Sequence, residues 1–392
     1  MYNERMYDLG TNGCCIRELS EYGRAQAAIV GAENVYDFSI GNPSIPAPGE
    51  VGETIRQIFA DTDSLAIHSY TSATGDLQTR KAIAEDLNAR FGVDATAEDL
   101  FIGCGAAPEL CAVFKALAVP GSRILAVAPY FTEYEPWVEG AGAEFVAVPA
   151  DIPGFQIRLD ALEELLTPNT VAIIINSPNN PAGTVYTEQT LKKLAELLRR
   201  KEQEFGHPIF IVADEPYREL VYDGVCVPFI PNIYPNTVVC YSYSKSLSLP
   251  GERIGYIYVP KAARNAAELM TCISGAAREL GHICAPSLWQ KVIARCAHLR
   301  PDMQAYGRNR KALYTALLEY GYEVAKPDGA FYLFVKAPGG SSKAFSDKAK
   351  KKNLLLVPGD DFGCPEYFRV CYCVSYEKII KSLPLFKELI EE

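Results

Sequence analysis

From about Asp99 to Val259, short apolar runs are followed by polar turns and then by stretches of helical periodicity. LFIG (100–103), RILAVAP (123–129), TVAIIINSP (170–178), PIFIVADEP (208–216), TVVCYSYS (237–244) and RIGYIYVP (253–260) each read as a strand. Between them, PELCAVFKALAV places Leu110, Val113, Phe114 and Leu117 on one helical face, and LKKLAELLRRKEQEF does the same with Leu191, Leu194, Leu197 and Leu198. Strands alternating with amphipathic helices predict an α/β fold around a parallel sheet. The pattern changes in the last third. A long helical region around Leu288 to Tyr320 precedes two strand-like pieces, GAFYLFV and EYFRVCYCVS, which suggests a smaller α+β domain. The Pro- and Gly-rich stretch FSIGNPSIPAPG reads as a linker from an N-terminal arm. The division expected is a large domain over 46–285 and a small one built from 1–45 and 286–392.

Length and charge narrow the partners. A chain of 392 residues with 48% hydrophobic and 22% charged residues is large enough for two packed cores and a substantial cleft. Its formal net charge of -10 disfavours nucleic acid and anionic membranes. The twelve cysteines are scattered and contain no Cys-x-x-Cys, and the four histidines form no spaced ligand set, so neither a disulfide framework nor a zinc site is expected. Reduced thiols, no basic-then-apolar leader in MYNERMYDLG and no long apolar span point to the cytoplasm.

Ligands of open α/β sheets collect where strands end, and the polar residues ending these runs are chemically suggestive. In GCGAAPEL, the small residues Gly105, Ala106 and Ala107 ahead of a helix could cradle a phosphate with backbone amides. The third glycine and the acidic ribose ligand of a dinucleotide site are absent. In SYSKSLSLPGERIGYI, Lys245 follows a strand, where a buried amine can lose its proton and act as a nucleophile. Ser242, Ser244 and Arg253 in the same segment suit a phosphate monoester. An amine beside a phosphate grip implies a phosphorylated aldehyde. Asp214 ends the run PIFIVADEP and, if buried, needs a partner such as a pyridinium N–H. Tyr217 could donate to the ring's 3-hydroxyl oxygen, and the Asn180 amide in NSPNNPAGTVY could reach a ligand. Each segment also has a plain structural reading as a turn, a cap or core packing.

Taken in order, GCGAA, APYFTEY, NSPNNPAGTVY, ADEPY, SYSKSLSLPGERIGY, GAFYLFV and FRVCYCVS resemble the fold-type I pyridoxal-phosphate aminotransferases of the aspartate aminotransferase (class I and II) group. The resemblance covers nearly the whole chain and implies a mostly parallel seven-stranded sheet flanked by helices. It implies that Lys245 carries pyridoxal 5'-phosphate as an internal aldimine, that Asp214 pairs with the ring nitrogen, and that Tyr217 and Asn180 hold the 3-oxygen. Ser242, Arg253 and the amides at Gly105, Ala106 and Ala107 would hold the phosphate, and Phe131 would stack on the ring. Tyr70 matches a tyrosine that reaches the phosphate of a neighbouring subunit, which implies a homodimer with shared sites. Arg369 matches the clamp on the substrate α-carboxylate, with Gly41 lining the same pocket. Arg369 fits that role by strand alternation as well, sharing a face with Cys371, Cys373 and Ser375.

Three departures stand out. Ala107 replaces a hydroxyl residue, Phe131 replaces a tryptophan, and a second substrate-binding arginine has no clear match beyond Arg278 nearby in sequence. The activity implied is ping-pong transfer of an amino group from an L-amino acid to a 2-oxo acid. The rivals are a C–S β-lyase on the same fold, a non-catalytic effector-sensing module, and a serine acyl enzyme read from the S-x-x-K of residues 242–245, whose companion motifs are missing.

Overall fold

The computed structural model describes residues 1–11 and 13–391. Two helices, α1 (Glu4–Thr11) and α2 (Cys15–Val30), precede a two-residue strand β1 (Tyr36–Asp37). Helices α3 (Gly49–Asp61), α4 (Ser64–His68) and α5 (Leu77–Phe91) enter the large unit. There the chain runs β2 (Leu100–Gly103), α6 (Ala106–Leu117), β3 (Arg123–Val127), α7 (Tyr134–Ala141), β4 (Glu144–Val148), α8 (Leu159–Leu165) and β5 (Thr170–Asn176). It continues through α9 (Glu188–Phe205), β6 (Phe210–Asp214), β7 (Thr237–Ser242), α10 (Tyr243–Ser246), β8 (Gly255–Tyr258) and α11 (Ala266–Glu279). The remainder is α12 (Ser287–Cys296), α13 (Met303–Glu319), β9 (Tyr332–Lys336), α14 (Ser342–Lys350), β10 (Leu354–Leu355), β11 (Val357–Pro358), β12 (Tyr367–Cys371) and α15 (Tyr376–Glu391).

Seven strands form the large sheet in the order β2-β8-β7-β6-β5-β3-β4. The strands from β7 to β4 pair in parallel, and β8 alone runs against its neighbours β2 and β7. Alternate side chains of each central strand enter different cores: Leu125, Ile173, Ile211 and Val239 pack on one face, Ile124, Ile174, Val212 and Val238 on the other. Burial on both faces is why these segments read as unbroken apolar runs, each such side chain contributing about 1.5–3 kcal/mol. All six expected strands form. The seventh, β4, is not among them because EFVAV lies at the sheet edge with Glu144 and Ala147 exposed, which breaks the apolar run.

The smaller unit holds an antiparallel sheet β11-β12-β9 and a parallel pair of β1 with β10, which ties the N-terminal arm to the C-terminal part. The expected long helical region is two helices. The chain breaks between them around Pro301 and restarts where the Asp302 side chain accepts from the Gln304 amide at 2.9 Å. Helix α12 packs on α3 and α5 with Val292 and Ile293 in the large unit's core, so the expected boundary at 286 falls just ahead of a helix seated on the large unit. Strand β12 ends at Cys371, so Cys373 and Ser375 lie beyond the alternation used to place Arg369. Ser375 instead accepts from the Lys378 amide at the start of α15. Among the described residues no helix is long and apolar enough to cross a membrane.

Candidate active site

Neighbouring parallel strands β5, β6 and β7 end at Asn176, Asp214 and Ser242, which places three polar side chains on one floor. Asn176 and Asp214 are register partners. The Asn176 amide donates to the Asp214 carbonyl at 2.8 Å and to its Oδ2 at 3.4 Å, while Tyr134 donates its phenol to the same Oδ2 at 2.5 Å. The other carboxyl oxygen, Oδ1, is buried with no partner. Burial pushes the Asp214 pKa up to about 7, against the hydrogen bond from Tyr134. Asn176 also accepts from the Asn180 backbone N–H at 2.7 Å, which fixes the loop that carries Asn180 over the floor.

Lys245 sits on the short helix α10, whose start is capped by Ser242 accepting from the Ser244 amide. Its Nζ donates to the Gly41 carbonyl at 2.6 Å and lies 5.6 Å from the Phe331 ring centre. Burial lowers its pKa, a shift towards the nucleophilic amine. A side chain at position 41 would collide with Tyr332, whose hydroxyl fills the space a Cβ would need. Glycine there lets the linker carbonyl approach the lysine.

At the opposite end, Gly105 adopts a φ of +91° ahead of α6 and leaves the first-turn amides of that helix facing the cleft. The Arg253 guanidinium lies against it: a Cβ on Gly105 would fall 2.8 Å from Arg253 Nη2. Arg253 is held by donating to the Pro250 carbonyl at 3.0 Å, and the Ser242 and Ser244 hydroxyls are 2.7 Å apart beside it. This is an anion cradle of amides, hydroxyls and one guanidinium.

The third wall is Arg369, buried at 1% exposure on β12. It donates to Asn180 Oδ1 at 2.8 Å and to the Ser39 carbonyl, it stacks on Tyr332, and its Nε has no partner. Tyr217 shares a hydrogen bond with the Tyr332 hydroxyl at 2.8 Å. Phe131 meets Tyr134 and Trp137 edge-on across the mouth.

The structure therefore gathers Gly41, Ala106, Ala107, Phe131, Asn180, Asp214, Tyr217, Ser242, Lys245, Arg253 and Arg369 around one cleft of about 480 Å³, with Gly105 directly behind it. Tyr70 and Arg278 are not brought to this cleft. Tyr70 is 96% exposed, and Arg278 opens onto a separate surface depression with Ala73 and Ile283. The sequence alone does not single out Tyr134, Asn176, Tyr332 and Glu109. For Asn176 a signal exists, since it ends the most apolar run just as Asp214 ends its own.

The donor set fits pyridoxal phosphate. A buried carboxyl oxygen lacking a partner calls for a cationic N–H, an amine with lowered pKa calls for a carbonyl, and the cradle calls for a dianion. Comparisons with known proteins agree with that fit. The chain is 30% identical over 381 residues to an aromatic-amino-acid aminotransferase from Thermococcus litoralis, covering 92% of this chain and 93% of the relative. An amino transferase from Eubacterium rectale superposes with a TM-score of 0.97 at 54% identity, covering 100% of this chain and 98% of the other. An aspartate aminotransferase from Thermotoga maritima superposes with a TM-score of 0.85 at 25% identity, covering 97% and 98%. The sequence profile of aminotransferase class I and II matches residues 33–382, and the chain belongs to that family.

Proposed function

We propose that this aminotransferase moves the amino group of an L-amino acid to a 2-oxo acid in two half-reactions at one cleft, with pyridoxal phosphate attached to Lys245. The observation that carries the reading is the pairing, in one cleft, of a buried lysine whose pKa is lowered with a buried aspartate whose Oδ1 has no partner. When bound, the cofactor supplies an aldehyde that condenses with amines and a pyridinium ring that withdraws electrons from the substrate's Cα.

The chain's own residues do the rest. Arg369 binds the substrate α-carboxylate through its unpartnered Nε side, oriented by Asn180. Lys245, whose pKa burial lowers, takes the Cα proton and returns it on the other side of the transfer. Asp214 stays ionised opposite the ring nitrogen, supported by Tyr134 and Asn176, and so holds the proton on that nitrogen. Tyr217 and Asn180 orient the 3-oxygen, Phe131 covers the ring, and the cradle of Ser242, Arg253 and the Gly105, Ala106 and Ala107 amides anchors the phosphate. Because donor and acceptor use the same groups in turn, the kinetics are ping-pong.

The Tyr70 phenol, idle in a single chain, reaches the cradle of a second copy, which makes the enzyme a homodimer with shared sites. Twelve free cysteines suit the reducing cytoplasm. The test is Lys245→Ala. It should abolish the visible absorbance of covalently held cofactor and lower turnover by about a thousandfold or more. Retained colour and full turnover would refute the reading. Release of pyruvate and a thiol from cystathionine without an oxo-acid acceptor would replace it with the lyase.

A further inference from the structure

One ionisable group beside the cleft takes no part in the chemistry above. Glu109, in the first turns of α6, is 2% exposed, and neither of its carboxyl oxygens has a side-chain hydrogen-bond partner; the polar group beside it is the Gly105 backbone N–H. The chain makes room for it with two glycines. A Cβ on Gly103 would stand 2.5 Å from Glu109 Cγ, and a Cβ on Gly255 would stand 2.6 Å from its Oε1 and 3.1 Å from the Gly105 Cα. The carboxyl thus lies directly under Gly105, the residue whose other side meets the Arg253 guanidinium. A buried acid without side-chain partners is costly, and an apolar residue would fill the same space at lower cost. Its position beneath an anion cradle gives it a use.

We propose that Glu109 is a positioning residue of the anion cradle that, at pH values where the empty chain ionises it, faces Arg253 as a carboxylate and takes up one proton from solvent when a phosphate dianion fills the cradle. The electrostatics run in that direction. Burial raises the Glu109 pKa and Arg253 lowers it, with Asp214 adding to the rise. A dianion placed on Arg253 cancels the one favourable charge and adds a like charge nearby, so the folded chain with bound anion holds the proton more tightly than the chain without it. The ionisable groups facing Glu109 are Arg253 and Asp214 across the cradle, Cys104 on the preceding loop and Cys240 on β7. Proton uptake on binding means that anion affinity is highest at low pH and falls as pH rises between the two pKa values of Glu109, by up to about tenfold per pH unit.

The inference rests on the cradle described under the proposed function, and sulfate separates the two. Sulfate has the shape and charge of the phosphate group but does not titrate near neutrality, so protons taken up on its binding are bound by the protein and not by the ligand. Calorimetric titration of the cofactor-free protein with sulfate, in two buffers of different ionisation enthalpy between pH 6 and 9, should show uptake approaching one proton and an affinity that falls with pH. Glu109→Gln should bind sulfate with little uptake and a flatter pH profile, and Glu109→Met provides a second uncharged side chain of similar length. Sulfate binding with no uptake by the wild-type chain, or uptake unchanged in both variants, overturns the role of Glu109 and leaves the cradle standing. Absence of sulfate binding to a folded chain sinks the cradle and this inference together. The assignment of Lys245 is judged separately, by its absorbance.

Discussion

At the floor of the cleft, Asn176, Asp214 and Ser242 end three neighbouring strands and are buried, and hydrogen bonds within the chain orient them. Away from the cleft, on an outer surface termed the rim, Tyr70 is almost wholly exposed and Arg278 faces another depression. The contrast separates two kinds of information. Groups that perform chemistry common to a family are wired into the sheet of one chain, where burial sets their protonation. Under the proposed reading, groups that would complete the site or choose the substrate's side chain lie on the outer surface of the chain. A lone chain therefore defines the reaction far better than the substrate.

The floor offers the severest trial of this contrast. Asp214→Asn should lower kcat/KM by about a hundredfold or more, because the ring nitrogen loses its charged partner. The same change should stabilise the cofactor-free chain at pH 8. The folded-state pKa of Asp214 is raised to about 7, so ionising this buried group costs the fold stability as pH climbs from about 4 towards 7, and asparagine removes that cost. Thermal melts at pH 4 and pH 8 should show the gain at the higher pH alone. Next in size is Arg369→Lys. Lysine cannot reproduce the fork that holds Asn180 and a carboxylate together, so KM for the amino acid should rise about tenfold to a hundredfold with kcat less affected.

At the rim the effects should shrink. Tyr70→Phe should weaken cofactor retention by about threefold to tenfold, the worth of one hydrogen bond. Dialysis at protein concentrations above and below dimer dissociation would show whether the loss vanishes in the monomer, as sharing between subunits requires. Arg278→Ala should leave kcat/KM for neutral amino acids within about twofold, as exposed charges do. A larger loss confined to dicarboxylic substrates would move this arginine into the partner's cleft and blur the line between floor and rim.

Much of the floor is legible in the sequence, because buried parallel strands write long apolar runs and their polar terminators stand out. Lys245, Asp214 and Arg253 are readable in that way, and the family resemblance adds Arg369, Phe131 and Gly41. Asn176 obeys the same rule, but the Asn-Pro loop behind it draws the eye first. Tyr134 and Tyr332 are hidden for a different reason. A tyrosine in an apolar context looks like core, and only the fold shows that their hydroxyls end on Asp214 and Tyr217. Strand β4 escapes because an edge strand with exposed Glu144 and Ala147 leaves little periodic signal. Glu109 is unreadable for the opposite reason, since a glutamate in the first turn of an amphipathic helix normally faces water, and here two glycines paired across the neighbouring strands β2 and β8 open the interior to it.

The parallel pairing of Tyr36 with Leu354 has a consequence for how the molecule is born. A ribosome delivers the amino-terminal arm first, yet its β-partner emerges only after every strand of the large sheet. The large sheet, whose strands are all present by then, is free to form earlier, so the carboxylate clamp joins a floor already built. The wall that carries Arg369 is the last part of the cleft that one chain lays down.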